Sequence, residues 1–374
     1  MNYKNAYVYT EDFTFQKGGF SVENGRFSHV LEEQPDAVDL QGAYVIPGLI
    51  DVHNHGNSGA DFSDGDYDGL VKMAGYLASV GVTSFAPATM TLPYDVIEKA
   101  LAAGLRLKKN RPEGTSRLLG VQMEGPFFSE KKKGAQNGAY LRNPDYAAFK
   151  RLYDGSEGLV RIVDVAPELE GAVEFVRQAK NDCTVSIAHT DADYDAAKAA
   201  IDAGVTHLTH LYNAMPPIHH RKPGVIGAAS ESGKVCAELI CDGIHVHPSS
   251  IRMAFRLFGA ENMCLISDAL RCCGMPDGEY MLGGQQVYLK DRVAKLADGT
   301  IAGAATNLYT CMQNVISYGI SKEDAVRCAT YNPAREVGAL AEVGSISNGK
   351  LADFVICDEA LNRKEVYLGG KKVG

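Results

Sequence analysis

The strongest constraint on the fold is an alternation of short β-like runs with helical stretches through the middle of the chain. Amphipathic stretches such as "YDVIEKALAAGLRLKK" and "DYDAAKAAIDAG" follow most of the runs. Eight runs qualify as strands: "GLIDVHNH", "VTSFAPAT", "RLLGVQMEG", "LVRIVDVAPE", "CTVSIAHT", "VTHLTHLY", "VCAELICDGIHVH" and "MCLISDAL". Strands that alternate with helices predict a parallel sheet, and eight of them are what a (β/α)8 barrel needs. We therefore expect an α/β fold built on a TIM-like barrel.

The two ends of the chain have a different texture. Short alternating runs broken by turns occur in the first ~45 residues and again in the last ~30, as in "GGFSVENGRFSHV" and "GSISNGKLADFVICD". The "ENG" between two alternating runs is typical of a β-hairpin. We expect the two ends to pair into one small β-sandwich domain of residues 1–47 and 339–374, with the catalytic barrel over 48–338.

Charge and cysteine content limit the partners and the compartment. The net charge of −9 argues against nucleic acid, whose phosphates attract basic surfaces. No stretch approaches the roughly 18 apolar residues of a membrane span, and the first residues lack a signal-peptide pattern. The nine cysteines are scattered, and the adjacent Cys272 and Cys273 form no CxxC pair. We expect a reduced, cytoplasmic protein with no membrane partner, and no role is indicated for Cys272 and Cys273.

Ionisable residues gather where a barrel places its chemistry, at the C-terminal ends of the strands. A lone "HxH" is a weak signal, and a single strand histidine is usually a hydrogen-bonded core residue, but the joint pattern favours a metal centre. Imidazole and carboxylate suit zinc, iron, manganese or cobalt, and a metal there would lower the pKa of bound water. The residues are His53, His55, Glu124, His189, His207, His210, His245, His247 and Asp268.

Strand alternation sorts some of these histidines. His207 precedes His210 by three residues, so we expect the two on opposite faces and interpret His207 as structural. His245 and His247 should share a face. His245 is the better functional candidate because it follows "CDG" first, and His247 is expected at the rim.

A long loop after the sixth strand, "LYNAMPPIHHRKPGVIG", carries Asn213 and Arg221. Such side chains, with free backbone amides, suit an oxyanion such as phosphate. A solvated basic loop explains the composition equally well.

Taken together, several motifs resemble the N-acetylglucosamine-6-phosphate deacetylases of the amidohydrolase superfamily. They run from about Gly42 to Asp358 and include "PGLIDVHNHG", "MEGPFFSEKKKGAQN", "IAHTDA", "THLTHLYNAMPP", "CDGIHVHP", "ISDA" and "GKLADFVICD". "PGLIDVHNHG" and "GKLADFV" are shared with the wider superfamily. "MEGPF" with "KKGA", and "HLYNAMPP" followed by "RKPG", are more specific.

The resemblance implies a role for each matching residue. A homodimer is implied because one arginine of the family reaches the phosphate in the neighbouring subunit. A loop near Ala304 to Asn307 is expected beside the acetyl group or sugar. The implied roles are main metal ligands for Glu124, His189 and His210, catalytic acid/base for Asp268, phosphate contacts for Asn213 and the Ala214 backbone, the neighbour's phosphate for Arg221, and a sugar contact for His245.

Two positions vary or depart from the family pattern. The pair His53 and His55 is present in some members and replaced in others, and its presence favours a second metal bridged by Glu124. Gln136 stands where many members have a substrate-contacting histidine, and Gln cannot carry that charge.

The implied reaction is hydrolysis of the acetamide of N-acetylglucosamine 6-phosphate to glucosamine 6-phosphate and acetate. A related N-acetylhexosamine phosphate is an open alternative because of Gln136. The wider superfamily offers cyclic-amide hydrolases, aminoacylases and deaminases. Many two-metal relatives use a carboxylated lysine on the fourth strand, however, and "VRIVDVAPE" has no lysine. An inactive binding subunit would require loss of a ligand or of Asp268, and all are present.

Overall fold

The computed structural model describes residues 1–374, the whole of the sequence. Its strands, numbered in chain order, are β1 (Asn2–Tyr9), β2 (Phe15–Glu23), β3 (Arg26–Ser28), β4 (Val38–Pro47), β5 (Leu49–Asp51), β6 (Gly56–Asn57), β7 (Ala60–Asp61), β8 (Val82–Phe85), β9 (Arg117–Leu118), β10 (Val121–Met123), β11 (Val160–Val165), β12 (Thr184–Ile187), β13 (His207–Leu208), β14 (Cys236–Ile240), β15 (Met263–Ile266), β16 (Gly278–Leu282), β17 (Gln285–Lys290), β18 (Val293–Leu296), β19 (Ile301–Ala304), β20 (Phe354–Cys357), β21 (Arg363–Leu368) and β22 (Lys371–Lys372).

Several helices begin at a side chain that accepts from free backbone amides. Asp66, Asp193 and Asn307 cap α1, α5 and α8 in this way. None of the helices combines the length and the apolar character needed to cross a membrane. They are α1 (Tyr67–Ser79), α2 (Tyr94–Lys109), α3 (Tyr146–Gly155), α4 (Ala172–Ala179), α5 (Tyr194–Ala203), α6 (Gly224–Ser232), α7 (Pro248–Phe258), α8 (Leu308–Ser317), α9 (Lys322–Ala329) and α10 (Tyr331–Glu336).

Each of the eight predicted runs contains a strand. Where two of these strands are neighbours in a sheet, they pair in parallel. One sheet has the order β10-β11-β12-β13-β14-β15 and a second the order β5-β8-β9. A parallel bridge between Ala88 and Gln122 links the two sheets. At the other edge, the Asp268 amide donates to the His53 carbonyl at 2.9 Å. The predicted α/β class is confirmed, and the third run is divided between β9 and β10.

Alternation along these strands divides the side chains between two cores. Ala237 and Leu239 of β14 join the large cluster of 69 buried residues that also contains the helix side chains. Cys236 and Ile240 of the same strand join a cluster of 12 formed mainly by strand residues of opposite parity. Glu238 shares their parity, so a fully buried carboxylate sits among these inward-facing residues.

Both chain ends contribute to one seven-stranded sheet of order β22-β21-β20-β4-β1-β2-β3. Its own core of 12 buried residues is rich in aromatic rings, such as Tyr3, Phe20 and Phe354. The predicted hairpin is present, with Glu23 paired to Arg26. Asn24 and Gly25 have φ of 52° and 76° in the turn, as a two-residue hairpin requires.

A four-stranded antiparallel sheet of order β16-β17-β18-β19 follows the last parallel strand, and the sequence analysis did not predict it. It packs through Leu282, Val287 and Ala302 onto Met90 and Leu270. Its last strand is tied to the end of β15, because the Ala304 amide donates to the Asp268 carbonyl at 2.8 Å. The sheet therefore borders the place where the candidate site residues gather.

Candidate active site

Glu124 is the centre of the candidate site, and four imidazoles converge on its carboxylate. His189 Nε2 and His210 Nε2 lie 3.0 and 3.2 Å from Oε1. His53 Nε2 lies 3.7 Å from the same oxygen, and His55 Nε2 lies 3.2 Å from Oε2. Glu124 is 2% exposed. The structure thus brings together the five residues that the sequence predicted as ligands.

These residues form two groups that share Glu124, one with His189 and His210 and one with His53 and His55. The Nε2 atoms of His189 and His210 face each other at 3.1 Å. His53 Nε2 is buried and has no hydrogen-bond partner. Two imidazole nitrogens that face each other, and an orphaned buried nitrogen beside the same carboxylate, fit divalent cations. The donors of each group therefore suit a divalent cation.

Left-handed backbone turns two of these histidines toward Glu124. Strict alternation would place His189 with Ile187, and His210 with Leu208, in the outer core that contains the helix side chains. Instead His189 has φ of 43° and His210 has φ of 30°. Such a conformation costs a non-glycine residue about 1–3 kcal/mol and recurs at active sites as well as in turns.

The expectation that His207 and His210 lie on opposite faces is wrong for this reason. The regular strand ends at Leu208, and the turn of the backbone at His210 breaks the alternation. His207 lies outside the pocket that contains His210. Its Nε2 nevertheless contacts Glu238 Oε1 at 3.0 Å, and Glu238 also contacts His53.

Asp268, the predicted acid/base, lies beside both histidines that follow β5. Its Oδ1 is 3.4 Å from His55 Nε2 and 3.7 Å from His53 Nε2. Burial acts to raise the pKa of Asp268, but the hydrogen bond with His55 and the charges of His53 and His210 outweigh it and lower the pKa. The carboxylate is therefore ionised near neutral pH, as a general base must be.

Glu124 shows the same balance of effects. Burial alone would raise its pKa, but hydrogen bonds from His189, His210 and His55 hold the pKa well below its usual range. An ionised carboxylate is the form that ligates a metal.

His245 and His247 both lie beyond β14, in an irregular segment where strand parity does not apply. His245 lines the pocket, and its Nδ1 is 2.7 Å from Asp242 Oδ2. Burial acts to lower the pKa of His245, and the Asp242 carboxylate raises it overall. His247 caps α7 by accepting from the Ser249 amide, which gives it a structural role away from the pocket.

The pocket beside Glu124 has a volume of about 210 Å³. Leu282 and the segment from Thr300 to Gly303 form its wall on the side of the antiparallel sheet. In the chain, Thr300 to Gly303 directly precede the segment Ala304 to Asn307, which was expected beside the acetyl group or sugar. Asn213 and Ala214, the predicted phosphate contacts, also line the pocket.

Gln136 is held against Glu124. Its Nε2 donates to Glu124 Oε2 at 2.7 Å, and its Oε1 accepts from the Thr91 amide at 2.7 Å. It lines the pocket, but both ends of its amide are engaged by the protein. Glycine is required next to Glu124, because Gly125 has φ of 90° and a side chain there would collide with the Thr91 hydroxyl.

Arg221 is exposed and lies outside this pocket. Its Nη1 lies 2.7 Å from His220 Nε2. The structure therefore leaves the arginine free of any contact with its own chain's Glu124 group, and the role of Arg221 in a neighbouring subunit stays a prediction.

The sequence analysis missed two features that the sequence indicates, a pair of buried carboxylates and an antiparallel sheet. Glu238 and Asp164 are lone carboxylates inside the apolar runs "VCAELIC" and "VRIVDVAP", and a charge in a buried strand usually has a specific partner. The antiparallel sheet is indicated by "MLGGQQVYLK", in which two glycines separate two alternating runs.

Comparisons with known proteins agree with the site. Residues 44–373 match the model of the amidohydrolase family. The N-acetylglucosamine-6-phosphate deacetylase of Bacillus subtilis (strain 168) is 36% identical, over 94% of this chain and 92% of its own length. An N-acetylgalactosamine-6-phosphate deacetylase of Escherichia coli O157:H7 is 34% identical, over 91% of each chain. A mutant N-acetyl-D-glucosamine-6-phosphate deacetylase of Mycobacterium smegmatis, solved with N-acetyl-D-glucosamine 6-phosphate, is 32% identical, with a TM-score of 0.92 over 100% of this chain and 98% of that one.

The chain belongs to the amidohydrolase family. The resemblance to its N-acetylglucosamine-6-phosphate deacetylases, drawn from the motifs, is confirmed.

Proposed function

We propose that this protein hydrolyses the acetamide of N-acetylglucosamine 6-phosphate to glucosamine 6-phosphate and acetate. The observation that carries the proposal is the pocket in which Glu124, His189, His210 and Asp268 meet Asn213 and Ala214. Relatives of this activity cover nearly the whole chain. It is therefore a hydrolase of carbon–nitrogen bonds in linear amides.

In this proposal Glu124, His189 and His210 hold one divalent metal, and His53 and His55 hold a second that shares Glu124. Zinc, iron, manganese and cobalt all suit these nitrogen and oxygen donors. A metal held by these residues would lower the pKa of bound water and polarise an amide carbonyl.

We assign each step of the proposed reaction to a residue. Asp268, ionised and at the edge of the pocket, takes the proton of the attacking water and passes it to the leaving amine. His245 is oriented by Asp242 through Nδ1, and its other nitrogen donates to the sugar or to the developing oxyanion when the ring is protonated. Gln136 contributes to the wall beside Glu124 and to sugar recognition.

The phosphate is proposed to bind at Asn213 and the Ala214 amide. Ala214 lines the pocket and has φ of 53°, in the left-handed region. Binding energy from a phosphate remote from the amide can position the reacting bond. Arg221 is proposed to reach the phosphate in a neighbouring subunit, which makes the enzyme a homodimer.

We also propose that the barrel is closed and that the chain is divided into two domains. The two parallel sheets are proposed to be one closed (β/α)8 barrel over residues 48–338, with residues 1–47 and 339–374 as a separate small β domain. The bridge between Ala88 and Gln122 and the hydrogen bond from the Asp268 amide to the His53 carbonyl support closure. The cytoplasmic location stays a prediction from the scattered cysteines.

The activity is tested by measuring acetate release from phosphorylated and unphosphorylated N-acetyl sugars in the presence of a divalent metal. We expect turnover of N-acetylglucosamine 6-phosphate, and a kcat/KM lower by at least about 100-fold without the phosphate, because remote binding energy is then lost. The galactosamine isomer belongs in the same assay, since a related enzyme carries that name. Hydrolysis of another amide with this substrate left intact would overturn the proposal.

The number of metals is tested by removing the second group of ligands. The double variant His53→Gln/His55→Asn keeps Glu124, His189 and His210 in place. We expect the metal content, measured by elemental analysis, to fall from near two ions per subunit to near one. A ratio of one in the unaltered protein would show that the second site does not exist.

A further inference from the structure

Glu238 is a fully buried carboxylate that contacts two residues of the candidate metal centre from outside the pocket. Its Oε2 accepts from His53 Nδ1 at 2.9 Å and from the His210 amide at 3.2 Å. Its Oε1 lies 3.0 Å from His207 Nε2. One side chain thus contacts a residue of each candidate metal group, yet it lies outside the pocket.

The contact with His53 decides which nitrogen of that ring is free. An ionised carboxylate only accepts hydrogen bonds, so His53 Nδ1 must carry the proton. In the neutral ring, which is the form that binds a metal, the lone pair of Nε2 is then available, and this atom faces Glu124 and Asp268 with no hydrogen-bond partner. Of the four imidazoles around Glu124, only His53 has a carboxylate on its other nitrogen. His189 Nδ1 instead contacts the Lys132 carbonyl, and the Nδ1 atoms of His55 and His210 have no partner.

His207 extends the contact toward the surface. Its Nδ1 lies 3.0 Å from Glu336 Oε2, so both ring nitrogens face carboxylates and both donate. Arg335 Nε in turn lies 2.8 Å from Glu336 Oε1, and the arginine side chain is 35% exposed. The chain of contacts runs from His53 through Glu238, His207 and Glu336 to Arg335.

The outer part of this chain also has the donors of a metal site, since His207, Cys236 and Glu336 offer atoms within 4.8 Å of one another. Both nitrogens of His207 are engaged by carboxylates, however, and Arg335 compensates the charge of Glu336. The group is thus satisfied as a hydrogen-bonded chain.

We infer that Glu238, supported by His207, is a positioning residue that fixes the tautomer and orientation of His53 for the second metal. The inference rests on the proposed metal centre. Loss of such an outer partner weakens metal binding by about 10–100-fold in other proteins. The effect should fall on the His53 group, because Glu238 contacts only the backbone of His210.

The test is a titration of metal-free protein with zinc against a chromogenic chelator, which gives the affinity of each ion. Glu238→Leu removes the acceptor at similar size, and we expect the second ion to bind at least about tenfold more weakly while the first is unchanged. Glu238→Gln keeps an acceptor for His53 but loses the charge, so we expect a smaller loss of about threefold for the second ion. Partial rescue by the amide, with cobalt absorption as a second readout, separates positioning from general destabilisation.

Asp164→Asn is the matched control. Asp164 is a fully buried carboxylate in the next-but-two strand of the same sheet, and it contacts Gln122 and Thr209 rather than any candidate ligand. We expect the Asp164→Asn variant to bind both ions as the unaltered protein does. A single ion in the unaltered protein would overturn the proposed second site. The other contrary outcome is two ions in the unaltered protein, with the affinity for the second ion unchanged in Glu238→Gln and in any folded Glu238→Leu. That result would overturn the role of Glu238 but not the proposed second site.

Discussion

Asp268→Asn is expected to abolish turnover while the metal content stays the same. The amide has nearly the shape of the carboxylate but cannot take a proton from water. General acid–base groups contribute about 100-fold to 10,000-fold, so we expect kcat to fall by at least 100-fold. The ligand set of Glu124, His189 and His210 is untouched. Steady-state acetate release and elemental analysis on the same preparation give both numbers.

A matched control is available for this variant in Asp164→Asn. Asp164 is buried as completely as any group in the protein, and burial raises its pKa to about 8. It is therefore largely protonated at neutral pH, and the amide should replace it with little effect on kcat. Activity retained in Asp268→Asn would contradict the acid/base role, because no other carboxylate of the pocket is free of the candidate metal groups.

Much of the fold and of the site could be predicted because the relevant patterns are local. The period of the apolar residues set the bounds of α2, and it also placed the parallel strands. Glu124 directly follows β10, and His53 and His55 come shortly after β5. The rule that barrel chemistry collects at strand ends was enough to group them.

What could not be predicted depends on the backbone in three dimensions. Parity failed for His207 and His210, since a single left-handed residue reverses the side on which a side chain lies. It failed again for His245 and His247, which follow the strand instead of extending it. The contacts of Glu238 with His53 and His207 join residues that are 185 and 31 positions away in the chain, and no local pattern encodes such a pairing.

Gln136 illustrates a further limit. From the sequence it was a substitute for a substrate-contacting histidine. The structure has both ends engaged, by Glu124 and by the Thr91 amide. Its influence on the sugar is thereby linked to how it holds the shared carboxylate.

Glu124→Gln is expected to have the largest effect of any single substitution, because both candidate metal groups share this carboxylate. The amide is a neutral and weaker ligand, and four imidazoles then lose the anion on which they converge. We expect metal content to fall well below one ion per subunit and kcat/KM to fall by roughly a thousandfold, equivalent to about 4 kcal/mol of transition-state stabilisation. Added metal should not restore activity. Glu168→Gln is the control, since Glu168 lies beyond β11 and contacts Thr190 and the Asp191 amide outside the candidate groups. Two ions retained in Glu124→Gln would mean that the histidines alone hold them, and Glu124 would then have no role as the bridge.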